Sequence, residues 1–161
     1  MSLKTVVVVF SVVASVFGLK AERLVVGEGE VKTLSSSAAY DSIVVDGTLN
    51  IDSAANIQVA TTVVVGSAVG KTGRLNVSGG ATLQADSAKN TSIFYFGKDG
   101  GSAVVTVDGA TVRAYNVDLG YNAQNTTTSS LVLTGEALVY ANNSVMVESY
   151  DGSLATTTSS E

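Results

Sequence analysis

Short runs of alternating apolar and polar residues, separated by glycine turns, recur along residues 74–142. In the run from Leu75 to Val77, apolar residues stand on either side of Asn76, so they face one way and the amide faces the other. The same order of apolar run, turn and second run appears in RLNVSGGATLQA (74–85), AVVTVDGATVRA (103–114) and LVLTGEALVYAN (131–142). This alternation predicts short β-strands joined by tight turns, and no long stretch has helical spacing.

The repeats predict a solenoid of stacked coils from Ser42 onward. With Gly47, Gly80, Gly109 and Gly135 as markers, the spacings are 33, 29 and 26 residues, as in repeat architectures. Three strand-like elements in each repeat favour a coil with three faces over a propeller blade of four strands. The predicted first elements are Ile43–Val45, Leu75–Val77, Val104–Val107 and Leu131–Leu133, the second are Thr48–Ile51, Ala81–Ala85, Ala110–Ala114 and Ala137–Ala141, and the third are Val63–Gly66, Phe94–Gly97, Val117–Gly120 and Val145–Glu148. We therefore predict an all-β fold of about four coils, in which strands pair in parallel about 4.8 Å apart.

The first 21 residues differ from the rest of the chain and predict a cleaved signal peptide. Lys4 supplies a positive charge, an apolar run extends from Thr5 to Phe17, and small residues follow it. The run is shorter than the roughly 20 residues of a typical membrane span, and the alternative interpretation is a buried first strand. Cleavage is expected after Gly18 or Ala21. The protein is then secreted or lies at the cell surface, with no transmembrane span after cleavage.

The rest of the chain is predicted to form one domain with simpler ends. Residues 22–41, interrupted by Gly27 and Gly29, are interpreted as an N-terminal cap or incomplete coil. Residues 42–152 carry the β-helix repeats, and residues 153–161 are expected to form a flexible tail. The last coil would expose unpaired strand edges. We therefore predict self-association through open solenoid ends, or continuation in a longer parent protein.

Composition removes several classes of chemistry. The 161 residues include no His and no Cys, which excludes a zinc site of the usual His/Cys kind, a cysteine nucleophile and a Ser-His-Asp triad. The formal net charge is −5 and the nine basic residues are scattered singly, so no nucleic-acid partner is predicted. We predict no enzymatic activity and no cofactor.

Two motifs point to chemistry that their surroundings do not support. VVVGSAVGKT (63–72) resembles a strand entering a phosphate-binding loop, but only three residues separate Gly66 from Gly70 and no helical pattern follows. Asp46 and Asp108 are predicted to occupy equivalent turn positions two repeats apart, roughly 10 Å from each other. Turn formation accounts for both residues, so no acid pair for catalysis is predicted.

Aromatic residues are the candidates for ligand contact. Phe94 and Phe96 are expected to fill the core, with Tyr95 outside it, because the three residues alternate along one strand. Tyr95, Tyr115 and Tyr121 are the candidate contacts if their rings are exposed. Aromatic rings on an outer face are suited to stacking on sugars, which makes surface glycans candidate partners.

The segments GRLNVSGGATLQA (73–85), AVVTVDGATVRA (103–114) and LVLTGEALVYA (131–141) resemble the autotransporter-associated β-strand repeats of bacterial autotransporter passenger regions. The resemblance extends over residues 42–152. It implies a right-handed parallel β-helix and a role at the cell surface.

Three functions follow as hypotheses. The favoured one is a secreted, non-enzymatic β-solenoid that serves as a surface structural or adhesive module. The alternative is a carbohydrate-binding or carbohydrate-active β-helix, which needs exposed aromatic rings and carboxylates clustered on one face. An ice-binding solenoid needs regular outward threonines on a flat face, and it is the least favoured because Thr61-Thr62, Thr82, Thr111 and residues 126–128 are expected not to repeat at one position of the coil.

Overall fold

The computed structural model describes residues 22–85, 90–124 and 127–148. The predicted signal peptide (1–21) and tail (153–161) lie outside these residues. Within them the chain forms strands, turns and loops, and no helix is present that could cross a membrane. The strands are β1 (Leu24–Val26), β2 (Val31–Leu34), β3 (Ala38–Tyr40), β4 (Ile43–Val45), β5 (Thr48–Ile51), β6 (Asn56–Val59), β7 (Val63–Val65), β8 (Thr72–Ser78), β9 (Thr82–Ala85), β10 (Ile93–Lys98), β11 (Ser102–Asp108), β12 (Thr111–Tyr121), β13 (Ser129–Thr134) and β14 (Leu138–Val147).

The strands form three ladders of parallel pairs. Ladder 1 contains β2, β5, β8, β11 and β13 in that spatial order. Ladder 2 contains β3, β6 and β9, followed by the first parts of β12 and β14. Ladder 3 contains β1, β4, β7 and β10, followed by the second parts of β12 and β14. Because β12 and β14 pass from ladder 2 to ladder 3 without a break, these two ladders belong to one sheet.

The chain passes through ladders 1, 2 and 3 in turn and makes five coils. Coil 1 is β2–β4, coil 2 is β5–β7, coil 3 is β8–β10, coil 4 is β11–β12 and coil 5 is β13–β14. The predicted all-β, solenoid-like stack of parallel strands is confirmed, with one coil more than predicted. The additional coil arises because β2 and β3, within residues 22–41, pair with coil 2 as later strands do, and β4 completes the turn.

The predicted alignment of the first repeat is wrong. Ile43–Val45 lies on ladder 3 and pairs with Val63–Val65, whereas the prediction made it the first element of a repeat. Thr48–Ile51 is the ladder 1 strand and pairs with residues 74–77. From Leu75 onward, the elements predicted as equivalent do pair with one another in neighbouring coils.

The first repeat was misaligned because two different corners of the coil carry the same pair of turn residues, Asp-Gly. Asp46-Gly47 follows ladder 3, whereas Asp108-Gly109 follows ladder 1. In coil 2 the corner after ladder 1 contains Ser53 and Ala54 instead of glycine, with left-handed φ angles of 57° and 56°. The Ala54 N–H donates to the carbonyl of Gly79 in the next coil at 3.0 Å, so the two corners stack on each other. A left-handed turn without glycine gives no signal in the sequence.

Alternate side chains of the three ladders meet in one core. Phe94 and Phe96 are fully buried, as predicted, and Tyr95 between them faces outward. Each inward side chain lies above its counterpart in the previous coil, so the core consists of continuous columns. The inward columns of ladder 3 are Leu24, Ile43, Val63, Phe94, Val117 and Val145, and Val26, Val45, Val65, Phe96, Leu119 and Val147.

Glycine occupies the corner after ladder 3 in three successive coils. Gly66, Gly97 and Gly120 follow residues in register with one another and have φ angles of 70°, 83° and 79°. A Cβ atom added at Gly97 would clash with Ser129 Oγ and would lie 2.9 Å from the carbonyl oxygen of Gly101. Backbone conformation and space therefore both require glycine at this corner.

Candidate functional site

Two of the three predicted ligand-contact tyrosines lie together on the outside of ladder 3. Tyr95 projects outward from β10, and Tyr121 ends β12 one coil later. Their ring centroids are 5.0 Å apart and the ring planes meet at 63°, a favourable edge-to-face arrangement. Tyr121 is 36% exposed and Tyr95 is half-buried. The pair presents a small aromatic surface beside the corner after ladder 3.

The glycine corner places Lys98 over the same aromatic surface. In a regular strand Lys98 and Tyr95, three residues apart, would point to opposite faces. Left-handed Gly97 interrupts the alternation, and Lys98 Nζ lies 5.5 Å from the Tyr95 ring centroid, within cation–π range. Lys98 and Tyr121 are register partners in adjacent coils, so each stands three residues along its strand from the paired residues Tyr95 and Asp118.

Asp99 and Asn122 fix the corner through a hydrogen-bond network. Both have left-handed backbones, with φ of 49° and 53°, a conformation that Asp and Asn tolerate better than other side chains. Asn122 Nδ2 donates to Asp99 Oδ1 at 3.0 Å, and Lys98 Nζ forms an ion pair with Asp99 Oδ2 at 2.9 Å. The Asn122 N–H donates to Glu148 Oε2 at 2.9 Å, which connects coils 3, 4 and 5 at one point.

This network keeps Lys98 and Asp99 charged. The hydrogen bond from Asn122, together with that from Lys98, lowers the pKa of Asp99. The hydrogen bond to Asp99 raises the pKa of Lys98. The two charges lie in contact and offset each other, so Lys98 adds no net positive charge to the aromatic surface.

Asp118 is the one buried carboxyl group beside the tyrosines. It stands in the outward column of ladder 3 between Tyr95 and Met146 and is only 3% exposed. No described residue donates a hydrogen bond to its Oδ1 atom. Burial, and to a smaller extent the charge of Glu148, raises the pKa of Asp118. Burial also raises the pKa of Tyr95, and the Asp118 charge adds to that shift.

Tyr115 lies apart from the other two tyrosines. It stands where β12 passes from ladder 2 to ladder 3, at a register irregularity between Ala114 and Asn116. Its N–H donates to the carbonyl of Ser92 at 3.0 Å. Within the described residues no ring contact joins Tyr115 to Tyr95 or Tyr121. The structure therefore brings together two of the three candidates. We define the tyrosine cluster as Tyr95, Lys98, Asp99, Asp118, Tyr121 and Asn122.

The two aspartates predicted as equivalent occupy different corners. Asp46 follows ladder 3, and its two carboxylate oxygens accept from the Ser67 N–H and hydroxyl, each at 2.8 Å. Asp108 follows ladder 1 and accepts from the Thr134 hydroxyl at 2.9 Å. The predicted equivalence is wrong for the reason that misaligned the first repeat. In the described part of the chain, no group of three His, Cys, Asp or Glu side chains is arranged to hold a metal ion.

The segment that resembles a phosphate-binding loop connects two strands. Residues 63–65 form β7 on ladder 3, and β8 on ladder 1 begins at Thr72. Lys71, which would contact phosphate in such a loop, pairs with Glu28 at 2.9 Å. The interpretation as a loop between two coils is confirmed.

Thr82 and Thr111 occupy one position of the coil. They are register partners on ladder 2, so the expectation that the threonines would not repeat at one position is wrong for this pair. The same outward column contains Asn56 before them and Leu138 after them. This outward column therefore contains threonine in two successive coils only, coils 3 and 4.

Sequence reasoning missed Lys98, Asp99, Asp118 and Asn122. A local signal existed, since Gly97-Lys98-Asp99 and Gly120-Tyr121-Asn122 both place an Asp or Asn two residues after a corner glycine. Aligning these two triplets would have placed Lys98 beside Tyr121. Burial of Asp118 had no such signal, because it depends on side chains from neighbouring coils.

No protein-family model, curated protein or solved structure matches this chain. What the tyrosine cluster can bind therefore follows from its own geometry. Two aromatic rings, an ammonium group and a side-chain amide lie at one corner of a rigid parallel stack.

Proposed function

We propose that the protein is a non-enzymatic β-solenoid, secreted or held at the cell surface, and that it serves as a structural or adhesive module. In this proposal residues 1–21 are a cleaved signal peptide, and the coils form a right-handed parallel β-helix. The parallel stack of five coils with a continuous apolar core supports a scaffold role. Asp46 and Asp108 are both engaged in corner hydrogen bonds, which supports a structural use of these acids.

The adhesive contact we propose is the tyrosine cluster, and its ligand is an uncharged saccharide. The observation that carries this proposal is the Tyr95–Tyr121 pair at 5.0 Å, with Tyr121 exposed. Aromatic side chains offer apolar area at low cost in conformational entropy, and a few polar groups then set the orientation of the ligand. Lys98 is paired with Asp99, and the Glu148 carboxylate lies at the same corner, which favours a ligand without charge over an anionic one.

Carbohydrate cleavage is the alternative. Its support is Asp118, a carboxyl group with a raised pKa near Glu148, since raised carboxyl pKa values are typical of general acids. Asp118 is almost fully buried, however, and a general acid must come within hydrogen-bond reach of the group that it protonates. Binding is therefore proposed ahead of cleavage.

The test is binding of the purified protein to a panel of immobilised neutral oligosaccharides, with Tyr121→Ala as the variant. We expect Tyr121→Ala to weaken binding about tenfold, because stacking on one ring contributes about 1.4 kcal/mol. Tyr140→Ala is a matched control, because Tyr140 is similarly exposed, at 43%, and projects from ladder 2 toward Arg113. This control should bind as the wild type does.

Two results would contradict the proposal. One is an absence of wild-type binding across the panel, and the other is equal loss of binding in Tyr121→Ala and Tyr140→Ala. New reducing ends in the same saccharides after incubation with wild type, and their absence with Asp118→Asn, would favour the cleavage alternative.

A further inference from the structure

A chain of three polar contacts joins Glu148 to the ammonium group of the tyrosine cluster. Glu148 Oε2 accepts from the Asn122 N–H at 2.9 Å, and Asn122 Nδ2 donates to Asp99 Oδ1 at 3.0 Å. The other oxygen of that carboxylate, Asp99 Oδ2, pairs with Lys98 Nζ at 2.9 Å. A carboxylate that follows the strands of coil 5 therefore reaches, through coil 4, the side chain that lies over the Tyr95 ring in coil 3.

The backbone places the first link of this chain closely. The Glu148 N–H donates to the Leu119 carbonyl at 2.8 Å. A Cβ atom added at Gly120 would lie 2.5 Å from the Glu148 carbonyl oxygen, so the two segments of main chain are in direct contact at the corner. Asn122 has a left-handed φ of 53°, and its N–H meets the carboxylate that this contact brings to the corner.

Lys98 retains hydrogen-bond donors for a ligand. An ammonium group has three N–H donors, and among the described residues only Asp99 accepts from this one. The Lys98 side chain is 32% exposed, and its register partner Tyr121 carries the exposed ring of the pair. A saccharide stacked on that ring would therefore have its hydroxyl oxygens, which accept hydrogen bonds, close to the ammonium group.

The ordering of Lys98 before binding has a consequence for affinity. A mobile lysine side chain loses conformational entropy when it donates to a ligand, and immobilising one such side chain weakens binding by about two- to tenfold. The ion pair with Asp99 and the contact with the Tyr95 ring already restrict Lys98. Because Asn122 orients the Asp99 carboxylate, this restriction extends beyond the residues that a ligand would touch.

We propose that Lys98 is the specificity-determining donor to a neutral saccharide on the tyrosine cluster, and that Asn122 and Glu148 are positioning residues that order it before binding. This inference rests on the saccharide binding proposed above. It narrows the ligand to saccharides that present a hydroxyl oxygen as an acceptor beside the face that stacks on Tyr121. Glu148 touches no ligand atom and acts through Asn122 and Asp99.

The first test compares the affinity of wild type, Lys98→Met and Asn122→Gly for the tightest-binding saccharide of the panel. Methionine removes the charge and keeps an unbranched side chain, and glycine accepts the left-handed backbone of Asn122 while removing the amide. Lys98→Met should bind about tenfold more weakly, because a hydrogen bond from a charged donor is lost. Asn122→Gly should bind about fivefold more weakly, because Lys98 is no longer ordered.

Thr134→Val is the matched control for these variants. It removes the 2.9 Å hydrogen bond to Asp108 Oδ1, which also joins coils 4 and 5 but lies at the corner after ladder 1. A general loosening of the coil contacts would affect binding in this control as well. We expect the control to bind as the wild type does.

Monodeoxy analogues of the same saccharide identify the acceptor hydroxyl. Wild type should bind one analogue about tenfold more weakly than the parent saccharide, because the ammonium group then has no acceptor. Lys98→Met should bind that analogue and the parent equally, since the donor is already absent.

Two variants of Glu148 separate its hydrogen bond from its charge. Both Glu148→Ala and Glu148→Gln remove the charge, but glutamine keeps an oxygen that can accept from the Asn122 N–H. Glu148→Ala should bind the saccharide about threefold more weakly than wild type, and Glu148→Gln should restore most of that loss.

A measurement without ligand reports on the same chain of contacts. The hydrogen bond from Asn122 lowers the pKa of Asp99. An NMR titration of the Asp99 carboxyl group should therefore give a higher pKa in Asn122→Gly than in wild type, and a higher pKa in Glu148→Ala than in Glu148→Gln. Thr134→Val should leave this pKa unchanged, which a purely structural role of the coil contacts would not predict.

The outcomes distinguish this inference from the proposed function. Wild-type binding that persists unchanged in Lys98→Met would leave saccharide binding in place and remove Lys98 from it. Equal losses in Asn122→Gly and Thr134→Val, or a loss in Glu148→Ala that Glu148→Gln does not restore, would overturn the positioning roles. An absence of wild-type binding would contradict the proposed function itself. An unchanged Asp99 pKa in Asn122→Gly would overturn the ordering of Lys98 whatever the ligand.

Discussion

Ser53 and Ala54 hold left-handed backbone conformations at a corner where later coils place Gly79-Gly80 and Gly109. Both side chains are exposed, so space is available and only the backbone conformation is costly. For a residue with a Cβ atom that cost is roughly 1–2 kcal/mol. The corner keeps its shape because the next coil stacks on it, through the hydrogen bond from Ala54 to Gly79.

Replacing Ala54 with glycine is expected to stabilise the fold by about 1 kcal/mol, because relief of the left-handed conformation exceeds the entropy that glycine loses on folding. Ala39→Gly, the same change at an exposed position inside β3, should destabilise by about 0.5–1 kcal/mol. Urea unfolding of both variants measures the difference. Loss of stability in Ala54→Gly equal to that in Ala39→Gly would show that the left-handed conformation costs nothing here.

Asp118 makes stability depend on pH in a direction that can be derived. Because burial raises its pKa, the folded protein retains a proton at pH values where the unfolded chain has lost it. Stability is therefore highest below the ordinary Asp pKa and falls as the pH rises from there through the raised value. Asp118→Asn removes this dependence and should raise the free energy of unfolding at pH 7 by about 1 kcal/mol.

The measurement is urea unfolding of wild type and Asp118→Asn from pH 3 to pH 8. The two proteins should approach each other at the acid end, where the wild-type carboxyl is protonated in both states. Asp108→Asn, at an exposed corner, is the control and should give no stabilisation at pH 7. An Asp118→Asn variant less stable than wild type across the whole range would mean that the carboxylate has a donor.

The residues at the corners of the coil decide which strands could be aligned correctly from the sequence. From coil 3 onward, glycine marks the corner after ladder 1 as Gly79-Gly80, Gly109 and Gly135, and alternation on either side gave the correct equivalence. Coil 2 has Ser53-Ala54 at that corner, while Asp46-Gly47 carries the expected signature at another one. Turn residues indicate the local backbone conformation but not which corner of a coil they occupy. The predicted position of the first repeat was therefore one face of the coil away from its observed position.

The corner after ladder 3 should be the least tolerant of substitution. Gly97→Ala combines a φ of 83° with a clash against Ser129, and we expect a loss of at least about 2 kcal/mol in the free energy of unfolding. Gly109→Ala is the matched control, because its φ is 52° and an added Cβ would meet nothing within 4 Å. Its loss should be about 1 kcal/mol, from backbone conformation alone.

Denaturant titration gives both values. Similar losses in the two variants would mean that Ser129 moves aside easily and that conformation, not space, selects glycine at Gly97. A larger loss in Gly109→Ala would contradict the described packing of the corner.

At the scale of the whole molecule, the sequence predicted the stack but not the register between its coils. Alternation and repeats were enough for parallel coils, and the aromatic residues identified Tyr95 and Tyr121 as candidates. The contribution of Lys98 and the burial of Asp118 depend on register between coils, which no local pattern contains. The position of Lys32 in register with buried Leu49 likewise emerges only once residues 22–41 are seen to pair with coil 2.

The lengthening of strands from coil 1 to coil 5 also has a mechanical consequence. In a parallel stack the hydrogen bonds between coils point along the solenoid axis, so a pull along that axis puts every coil interface under the same tension, and the interface with the fewest hydrogen bonds yields first. The interface of coils 1 and 2 rests on strands of 3 or 4 residues, whereas that of coils 4 and 5 rests on strands of 6 to 11 residues. Tension would peel the first coil away while the tyrosine cluster stays intact. A chain pulled along this axis would thus lose its N-terminal coil before its tyrosine cluster.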